Sequence, residues 1–459
     1  MGQEMPGWVE ELEKTLYPMA ERLRENPVLW AGSPEVFTPE QFGYTPGRTA
    51  TGFIQQAVDA AAERGGTVLL SEGTYVSGTL VMRSHVRLLI RAGACLQASD
   101  RLEDFPEHHA RRLTVQDTSM GMHQSLIFAE DCEGICLEGE GLLDGRGQPC
   151  RFPGEETAQG TPGRPFLIRM IDCRDVRVAG LTMKDSPCWM QNYLNCDRPT
   201  LEGLTVRNHA NYNNDGIDVD GCRDVLIRNC RVSSGDDGLC FKGASQRPAE
   251  RVLVEDCDFY SACNAVKVGT DTQGDFRRFL IRRCRIGGLA EDPSGLKHPC
   301  ADSGISLEMV DGGTLEDFLL EDLTVTRAWS PFFLRLEDRG RVKPGDPVPG
   351  PGWLRRVCLR RICGRGNGPR GSYLMGIPER KIEDLVFDGI HLSQYAWEGP
   401  APDPAAYPDF RGAYPDAHMI DGIGPSPASA LWARDTVGLT IRDFRVCTEG
   451  EDSRPAFLI

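Results

Sequence analysis

The most informative stretch of this chain reads Val225-Leu-Ile-Arg-Asn-Cys230, and it recurs as Val252-Leu-Val-Glu-Asp-Cys257 and Phe279-Leu-Ile-Arg-Arg-Cys284. The cysteines are 27 residues apart in both steps (257 − 230 and 284 − 257). Each copy alternates apolar and polar residues and is bounded by turn-forming residues, as short strands are. Very short strands at a period of roughly 20 to 30 residues indicate a solenoid of stacked coils, in which each coil packs only on its neighbours.

Similar runs continue along most of the chain, whereas helical periodicity is nearly absent after residue 65. They begin at Val176, Leu201, Phe318, Val357, Leu385 and Leu439. We therefore predict an all-β fold, a single-stranded right-handed parallel β-helix over residues 31–459. The acidic composition, with a formal net charge of −16, argues against nucleic acid or an anionic membrane as partner, since both demand a basic surface.

Two helical segments and two long loops complete the predicted organisation. Residues 1–30 form a helical leader, and a second helix over Thr51–Arg64 is placed to cap the open end of the solenoid. Stretches 339–352 and 397–428 are rich in proline and other loop residues, and we expect them to wall a binding cleft.

Cysteine usage and the amino-terminal residues bear on the compartment. The seventeen cysteines are odd in number and show no Cys-x-x-Cys spacing, so we predict small buried hydrophobes rather than disulfides or a metal site. We find no basic segment followed by an apolar one near Met1, and no apolar run long enough to span a bilayer. These features lead us to expect a cytoplasmic protein with no metal and no cofactor.

Two acidic motifs carry the chemistry: Asn213-Asn-Asp-Gly-Ile-Asp218 and Gly235-Asp-Asp-Gly238. Asp236 and Asp237 follow Asp215 by 21 and 22 residues, about one coil, and adjacent coils stack about 4.8 Å apart. Carboxylates crowded in this way cannot all ionise normally, so we expect one to hold its proton near neutral pH. A protonated acid beside an ionised carboxylate is the pair that glycoside hydrolysis needs. The alternative is that these aspartates only cap turns.

Further motifs occur in a fixed order around this pair. They are Gly43-Tyr44, Phe53–Ala57, Gly65–Leu70, Gly141–Gly147, Arg164-Pro165 and Asp185–Trp189, followed by Asn213–Asp215 and Gly235–Asp237. The ordered set resembles glycoside hydrolase family 28, the polygalacturonase-like β-helix enzymes, over roughly residues 35–395. The resemblance implies that Asp236 is the general acid and that Asp215 and Asp237 hold and activate the attacking water. It also implies single displacement with inversion.

The sequence departs from that family at two later motifs. The family's Gly-His-Gly segment is expected one coil after Asp237, where 237 + 27 gives Asn264 and no histidine. The family's Arg-Ile-Lys, which binds a galacturonate carboxylate, is expected within Ser303–Glu308, where Ser306 and Glu308 stand instead. Two cations are thereby lost and one anion is gained. We therefore expect a neutral sugar, whose hydroxyls Glu308 can bind, and not a standard polygalacturonase.

Several residues are candidates for substrate binding. Strand alternation puts Lys267 in one row with Ser306, and Lys242 in the next row with Glu308, so Lys267 is a possible replacement for the missing cation. The alternative for Lys267 is a salt bridge to Asp218 or Glu308. The full set of candidates is Asn213, Asn264, Lys267, Glu308, Lys242, Trp189, Arg335 and His209. The alternative for Trp189 is a packing residue, and the alternative for His209 is a hydrogen-bonded surface histidine.

We accordingly predict an exo-acting, inverting glycoside hydrolase that acts on plant-derived, pectin-like oligosaccharides. The expected partner is the oligosaccharide substrate, and self-association into a homo-oligomer remains open. One alternative is a polysaccharide lyase or epimerase on the same fold, in which the acidic trio would ligate a cation. Another is a carbohydrate-binding β-helix without catalytic activity.

Overall fold

The computed structural model describes residues 4–121, 123–154, 163–289, 300–407, 417 and 425–459. The chain divides into two compact units. The first unit is Leu23–Asp236, and the second unit is Met1–Arg22 with Asp237–Ile459. The described residues form three α-helices: α1 (Gly7–Glu25), α2 (Thr51–Ala62) and α3 (Val115–Met120). Within the described residues, no helix is long and apolar enough to cross a membrane.

The strands of the first unit are short and follow one another closely. They are β1 (Val36–Phe37), β2 (Thr67–Leu70), β3 (Gly73–Ser77), β4 (Leu80–Val81), β5 (Arg87–Ile90), β6 (Ala94–Ala98), β7 (Ser125–Glu130), β8 (Cys136–Gly139), β9 (Leu142–Asp144), β10 (Phe166–Ile171), β11 (Arg177–Ala179), β12 (Thr182–Lys184), β13 (Gln191–Leu194), β14 (Thr200–Glu202), β15 (Thr205–Asn208), β16 (Ile217–Asp220), β17 (Arg223–Arg228) and β18 (Arg231–Ser234).

The strands of the second unit lengthen toward its end. They are β19 (Leu239–Lys242), β20 (Ala249–Glu255), β21 (Asp258–Ser261), β22 (Asn264–Val268), β23 (Phe276–Arg282), β24 (Arg285–Gly288), β25 (Ala301–Met309), β26 (Thr314–Thr326), β27 (Ala328–Leu336), β28 (Trp353–Asn367), β29 (Ser372–Met375), β30 (Ile382–Tyr395), β31 (Leu431–Arg434), β32 (Thr436–Glu449) and β33 (Phe457–Leu458).

Parallel pairing between successive coils builds both units. In the first unit Val178 of β11 pairs with Leu201 of β14. In the second unit Leu253 of β20 pairs with Leu280 of β23, which is the 27-residue repeat seen in the sequence (280 − 253). These aliphatic side chains are buried, so each coil adds one layer to an apolar interior. The predicted parallel β-helix is confirmed.

Helix α2 closes the edge of the first unit's strands. Its apolar face is buried, and it packs on β1, β2 and β4. The Gln55 side-chain amide donates to the Val81 carbonyl at 3.0 Å and accepts from the Val81 N–H at 2.9 Å. Because an open solenoid end exposes unpaired backbone groups, an amide that pairs with the strand edge satisfies them.

Helix α1 uses a different surface, which the sequence did not indicate. The Tyr17 hydroxyl lies 3.0 Å from Glu321 Oε2 on β26, and Glu13 forms an ion pair with Arg360 on β28. The same Glu321 oxygen accepts from Arg360 and Arg361. The segment of α1 up to Arg22 therefore lies against the side of the second unit's sheet, where it covers charged residues with its own polar groups.

The cysteines that end the repeated strands, Cys230, Cys257 and Cys284, are buried as predicted, whereas Cys150, Cys363 and Cys447 are exposed. Cys257 and Cys284 are buried, and each thiol donates to the carbonyl two residues earlier, at 3.2 Å. The first unit holds a second such column that the sequence analysis missed: Cys173, Cys196 and Cys222. Burial contributes to raising the pKa of Cys173 and Cys196 above its ordinary value, so these thiols stay protonated. All seventeen cysteines are free of disulfide bonds.

Candidate active site

Asn208 fixes the turn that carries Asp215. The buried Asn208 amide donates from Nδ2 to the Asp215 carbonyl at 2.9 Å and to the Cys188 carbonyl at 2.8 Å. The Met190 N–H also donates to the Asp215 carbonyl, at 3.0 Å. The main chain at Asp215 is thus held from two strands, and its side chain is buried. Sequence analysis missed Asn208, whose only signal is an asparagine at the end of a strand.

Arg164 holds the start of the same turn. Its guanidinium donates to Asn213 Oδ1 at 2.7 Å and to the Tyr212 carbonyl at 2.6 Å. Asn213 adopts a left-handed conformation with φ 49°, which asparagine tolerates better than most residues. The predicted ligand Asn213 therefore also has a structural partner. Burial raises the pKa of the neighbouring Cys188 thiol to about 12, so this thiol stays protonated and donates to the Arg164 carbonyl.

The turn that carries Asp236 stacks on this one within the first unit. The Gly235 N–H donates to the Asn208 carbonyl at 2.9 Å. A Cβ at Gly235 would lie 2.6 Å from the Asn214 amide, so only glycine permits this close approach. Ser234 Oγ donates to the Asp236 carbonyl at 2.8 Å. Asn208 consequently contacts both turns, and the residues next to Asp215 and Asp236 are in direct contact.

Asp237, the first residue of the Asp237–Ile459 segment, has a polar partner at each of its carboxylate oxygens. Asn264 Nδ2 donates to Asp237 Oδ1 at 2.8 Å, and the Lys267 ammonium lies 3.2 Å from Asp237 Oδ2. Asn264 is itself held, because Ser303 Oγ donates to Asn264 Oδ1 at 2.7 Å. The Gly238 N–H adds a bond to the Asn264 carbonyl at 2.8 Å. The residue where a histidine is expected thus positions Asp237 through an amide.

Lys267 lies between two carboxylates. Besides Asp237, the Glu308 carboxylate lies 3.9 Å from the Lys267 ammonium, and Glu308 also accepts from Ser306 Oγ. Lys267 pairs with Ser306 in the β22–β25 register, which confirms the row predicted from strand alternation. The side chain of Glu308 is fully buried and packs on Gly269, whose φ of 124° and close approach exclude other residues. The salt bridge foreseen for Lys267 as the alternative to substrate binding is present.

The other candidate binders are placed as follows. Arg335 donates from Nε to Glu337 Oε2 at 2.8 Å, and both side chains are buried. Lys242 is also buried. In the first unit, His209 Nε2 lies 2.8 Å from Ser233 Oγ, and Trp189 packs edge-on against Phe166 at 5.6 Å between ring centroids. Both first-unit residues are buried, at 6% exposure for His209 and 4% for Trp189, so His209 is hydrogen-bonded as predicted but is not a surface residue.

The outward row that contains Lys267 and Ser306 turns aromatic on later coils. Ser306 pairs with Phe333, Phe333 with Tyr373, and Tyr373 with Trp432. None of these aromatic rings is exposed by more than 3%, because Tyr407 and other residues of the 397–428 segment cover them. Tyr407 packs edge-on against Trp432 at 4.7 Å between ring centroids. Positions 408–416 and 418–424 of that predicted loop lie outside the described residues.

Arg370 is a further cation that the sequence analysis missed. Its guanidinium lies 3.7 Å from Asp302 and over the Trp329 ring at 5.3 Å from the centroid. Burial lowers the pKa of Arg370, while Asp302 opposes that shift. Its signal in the sequence is weak, since Arg370 lies in a turn between two strands rather than in a repeated motif.

Comparisons with known proteins show a resemblance to family 28 over part of the chain. The sequence model for glycosyl hydrolases family 28 matches residues 108–270, which include all three acidic residues. A probable polygalacturonase of Vitis vinifera is 25% identical over 392 residues, covering 81% of this chain and 74% of that protein. Exopolygalacturonase X-1 of Emericella nidulans is 25% identical over 298 residues, covering 60% of this chain and 65% of that protein.

A solved structure supports the fold. The exopolygalacturonase of Thermotoga maritima superposes with a TM-score of 0.66 at 17% identity, covering 83% of this chain and 91% of that one. This likeness agrees with the predicted right-handed parallel β-helix.

Proposed function

Since the chain is a divergent, polygalacturonase-like glycosidase of the family 28 type, we propose that it releases sugars from the end of pectin-like oligosaccharides with inversion. Asp236 is the proposed general acid, and Asp215 and Asp237 are proposed to hold the attacking water. The observation that carries this proposal is that both carboxylate oxygens of Asp237 are contacted, one by the Asn264 amide and the other by the Lys267 ammonium. A carboxylate held at both oxygens is oriented before the substrate arrives, which is how catalytic groups gain rate.

The partners of Asp237 favour this division of roles. The Lys267 ammonium, 3.2 Å from Asp237 Oδ2, fixes the orientation of that carboxylate, so Asp237 is suited to orient the attacking water. Asp236 contributes its carbonyl to a bond with Ser234, which fixes the turn and leaves the role of acid to its side chain. An acid next to an ionised carboxylate is the combination that an inverting glycosidase requires.

The covered aromatic row supports action at a chain end. Phe333, Tyr373 and Trp432 continue the outward row of Lys267, and Tyr407 closes over them. An open cleft would leave such rings available to stack on successive sugars. With the rings covered, the row beyond Ser306 offers no exposed aromatic surface on which further sugars could stack.

The residues around Asp237 argue against a standard polygalacturonase. Ser306 and Glu308 stand where two cations are expected, and Lys267 and Arg335 both have carboxylate partners at 3.2 Å or less. A galacturonate carboxylate would gain little from cations that protein carboxylates already neutralise. The proposed substrate is therefore a pectin-like oligosaccharide whose terminal unit is a sugar other than unmodified galacturonate.

The test is a release assay on a panel of nitrophenyl glycosides and pectic oligosaccharides, with wild type compared with Asp236→Asn. Asp322→Asn is a matched control, because that carboxylate on β26 forms an exposed ion pair with Arg361 of β28 and with no residue of the proposed site. We expect the Asp236 variant to lose at least about a thousandfold in kcat while the control is unaffected. Proton NMR of the first product formed reports the anomer. Equal activity of both variants, or a retained anomer, would contradict the proposal.

A further inference from the structure

Lys267 is almost fully buried together with the two carboxylates that it contacts. The exposed fractions of the Lys267, Asp237 and Glu308 side chains are 4%, 4% and 0%. A lysine is rarely buried to this extent unless it is paired. One ammonium between two carboxylates leaves the trio with a formal net charge of −1 when all three groups are ionised.

Polar and charged side chains from the neighbouring strands surround the trio, and they include the buried Lys242 at the end of β19, in the row of Glu308. Cys240 on β19 and Ser306 on β25 are the register neighbours of Lys267, and the Cys240 thiol donates to the Gly269 carbonyl at 3.1 Å. Ser306 donates to Glu308, and Asn264 donates to Asp237. On the next coil, Arg335 is the register neighbour of Glu308 but directs its guanidinium to Glu337. The groups that face Lys267 thus include a second acid whose charge its ammonium also meets.

We propose that Lys267 is a positioning residue for Asp237 and that the anionic trio selects a neutral sugar over a carboxylated one. The inference rests on the proposed function and adds two statements to it. Lys267 serves the catalytic carboxylate and not the substrate, because its ammonium is 3.2 Å from Asp237. A uronate placed beside the trio meets a net negative charge, and like charges brought together suppress binding.

Four variants separate these roles. Lys267→Met removes the charge and keeps much of the side-chain length, and Lys267→Arg restores a cation. Glu308→Gln removes the second acid. Lys184→Met is the control, since Lys184 forms an ion pair of the same length, 3.2 Å, with Asp144 in the first unit.

The activity assay uses substrates that differ only at C6. One pair is nitrophenyl galactoside and nitrophenyl galacturonide, and the other is nitrophenyl glucoside and nitrophenyl glucuronide. Both anomers of each are used, and neutral nitrophenyl pentosides and deoxyhexosides complete the set. We expect wild type to prefer neutral members by at least about tenfold in kcat/KM. Lys267→Met should lower kcat by roughly a hundredfold with KM changed less than about threefold, and Lys267→Arg should recover part of it. The acid side of the pH profile of kcat/KM should move to higher pH in Lys267→Met. Glu308→Gln should reduce the ratio of kcat/KM for the neutral glycoside to kcat/KM for the uronide.

Other outcomes would overturn the inference. A Lys267→Met enzyme whose KM rises while kcat persists would mean that Lys267 binds substrate. A wild-type preference for uronides would remove the selection by charge. A wild type inactive on every glycoside and oligosaccharide would reject the proposed function itself. A double-mutant cycle of Lys267→Met with Asp237→Asn, read from urea unfolding midpoints, measures the coupling between these two residues. If the wild type is active but the two residues are not coupled, only the positioning role of Lys267 is rejected and the proposed function stands.

Discussion

Asn208→Asp is the perturbation that tests most directly how the turns of Asp215 and Asp236 are held. The change preserves shape but replaces the Nδ2 donor with an oxygen that faces the carbonyls of Cys188 and Asp215, now at 2.8 and 2.9 Å. When that oxygen is ionised it repels both carbonyls. When it is protonated it can donate to only one of them. The turn of Asp215 therefore loses at least one of its anchors.

The magnitude follows from what each carbonyl retains. The Asp215 carbonyl keeps its bond from the Met190 N–H at 3.0 Å, so its loss is that of an ordinary hydrogen bond, about 0.5–1.5 kcal/mol. The Cys188 carbonyl would be left as a buried acceptor, at about 1–3 kcal/mol. For Asn208→Ala, which removes both bonds at any pH, we expect about 2–4 kcal/mol of lost stability.

The aspartate variant adds a pH dependence whose sign is fixed by the site. Because the folded protein favours the protonated acid at position 208, the pKa there is raised on folding. The variant's stability relative to wild type is then highest below the unfolded pKa of about 3.9 and falls as pH rises through the folded value. At neutral pH we expect Asn208→Asp to be less stable than Asn208→Ala, whereas at pH about 4 the two should be similar.

The assay combines urea unfolding from pH 4 to 8 with glycosidase activity at saturating substrate. Asn367→Asp is the matched control, since Asn367 Nδ2 also donates to two carbonyls, at 3.2 and 3.3 Å, on a different turn. Both variants should lose stability, but only Asn208→Asp should lose activity under conditions where the protein is fully folded. If the Asn208 variants unfold like wild type, or if Asn367→Asp loses as much activity, Asn208 does not anchor the catalytic turns.

Three further predictions concern other parts of the chain. Glu321→Gln should lower the free energy of unfolding in urea by about 3–5 kcal/mol, because buried Glu321 pairs with arginines and with α1. Asp322→Asn, which removes an exposed pair, should lower it by under about 1 kcal/mol, and equal losses would contradict the assigned role of burial. Burial raises the pKa of Asp185, so its ionised form is disfavoured in the folded protein. Asp185→Asn should therefore raise the thermal midpoint at pH 7, and this gain should vanish near pH 3; a gain that persists at low pH would exclude a charge effect. Tyr407→Ala should uncover the aromatic row, so that more products from long oligosaccharides arise by internal cleavage, as measured by chromatographic sizing. Unchanged release of terminal sugars would show that Tyr407 does not close the site.

Local sequence was enough to predict the fold and part of the register. A 27-residue repeat of alternating strands with small buried cysteines indicates stacked coils, because each coil buries its apolar residues only against its neighbours. The same regularity predicted that Lys267 and Ser306 share a row, which the β22–β25 pairing confirms. The polygalacturonase-like family was recognisable from the ordered motifs, and the match over residues 108–270 agrees with it.

Contacts that depend on inserted loops and on distant segments could not be read in this way. Tyr407 reaches the aromatic row from a long insertion, and α1 covers Glu321 from the other end of the sequence. Nothing local marks such pairs, because the repeat period carries no information about where an insertion folds back.

The sequence by itself determined the solenoid, the positions of its turns and the identity of the acidic residues. The tertiary structure decided their partners: Asn208 between two turns, and Lys267 between Asp237 and Glu308. The physical reason is that strand pattern and turn chemistry depend on residues that are neighbours in the chain. The partner of a buried charge depends instead on which opposite charges the packing brings within about 4 Å of it.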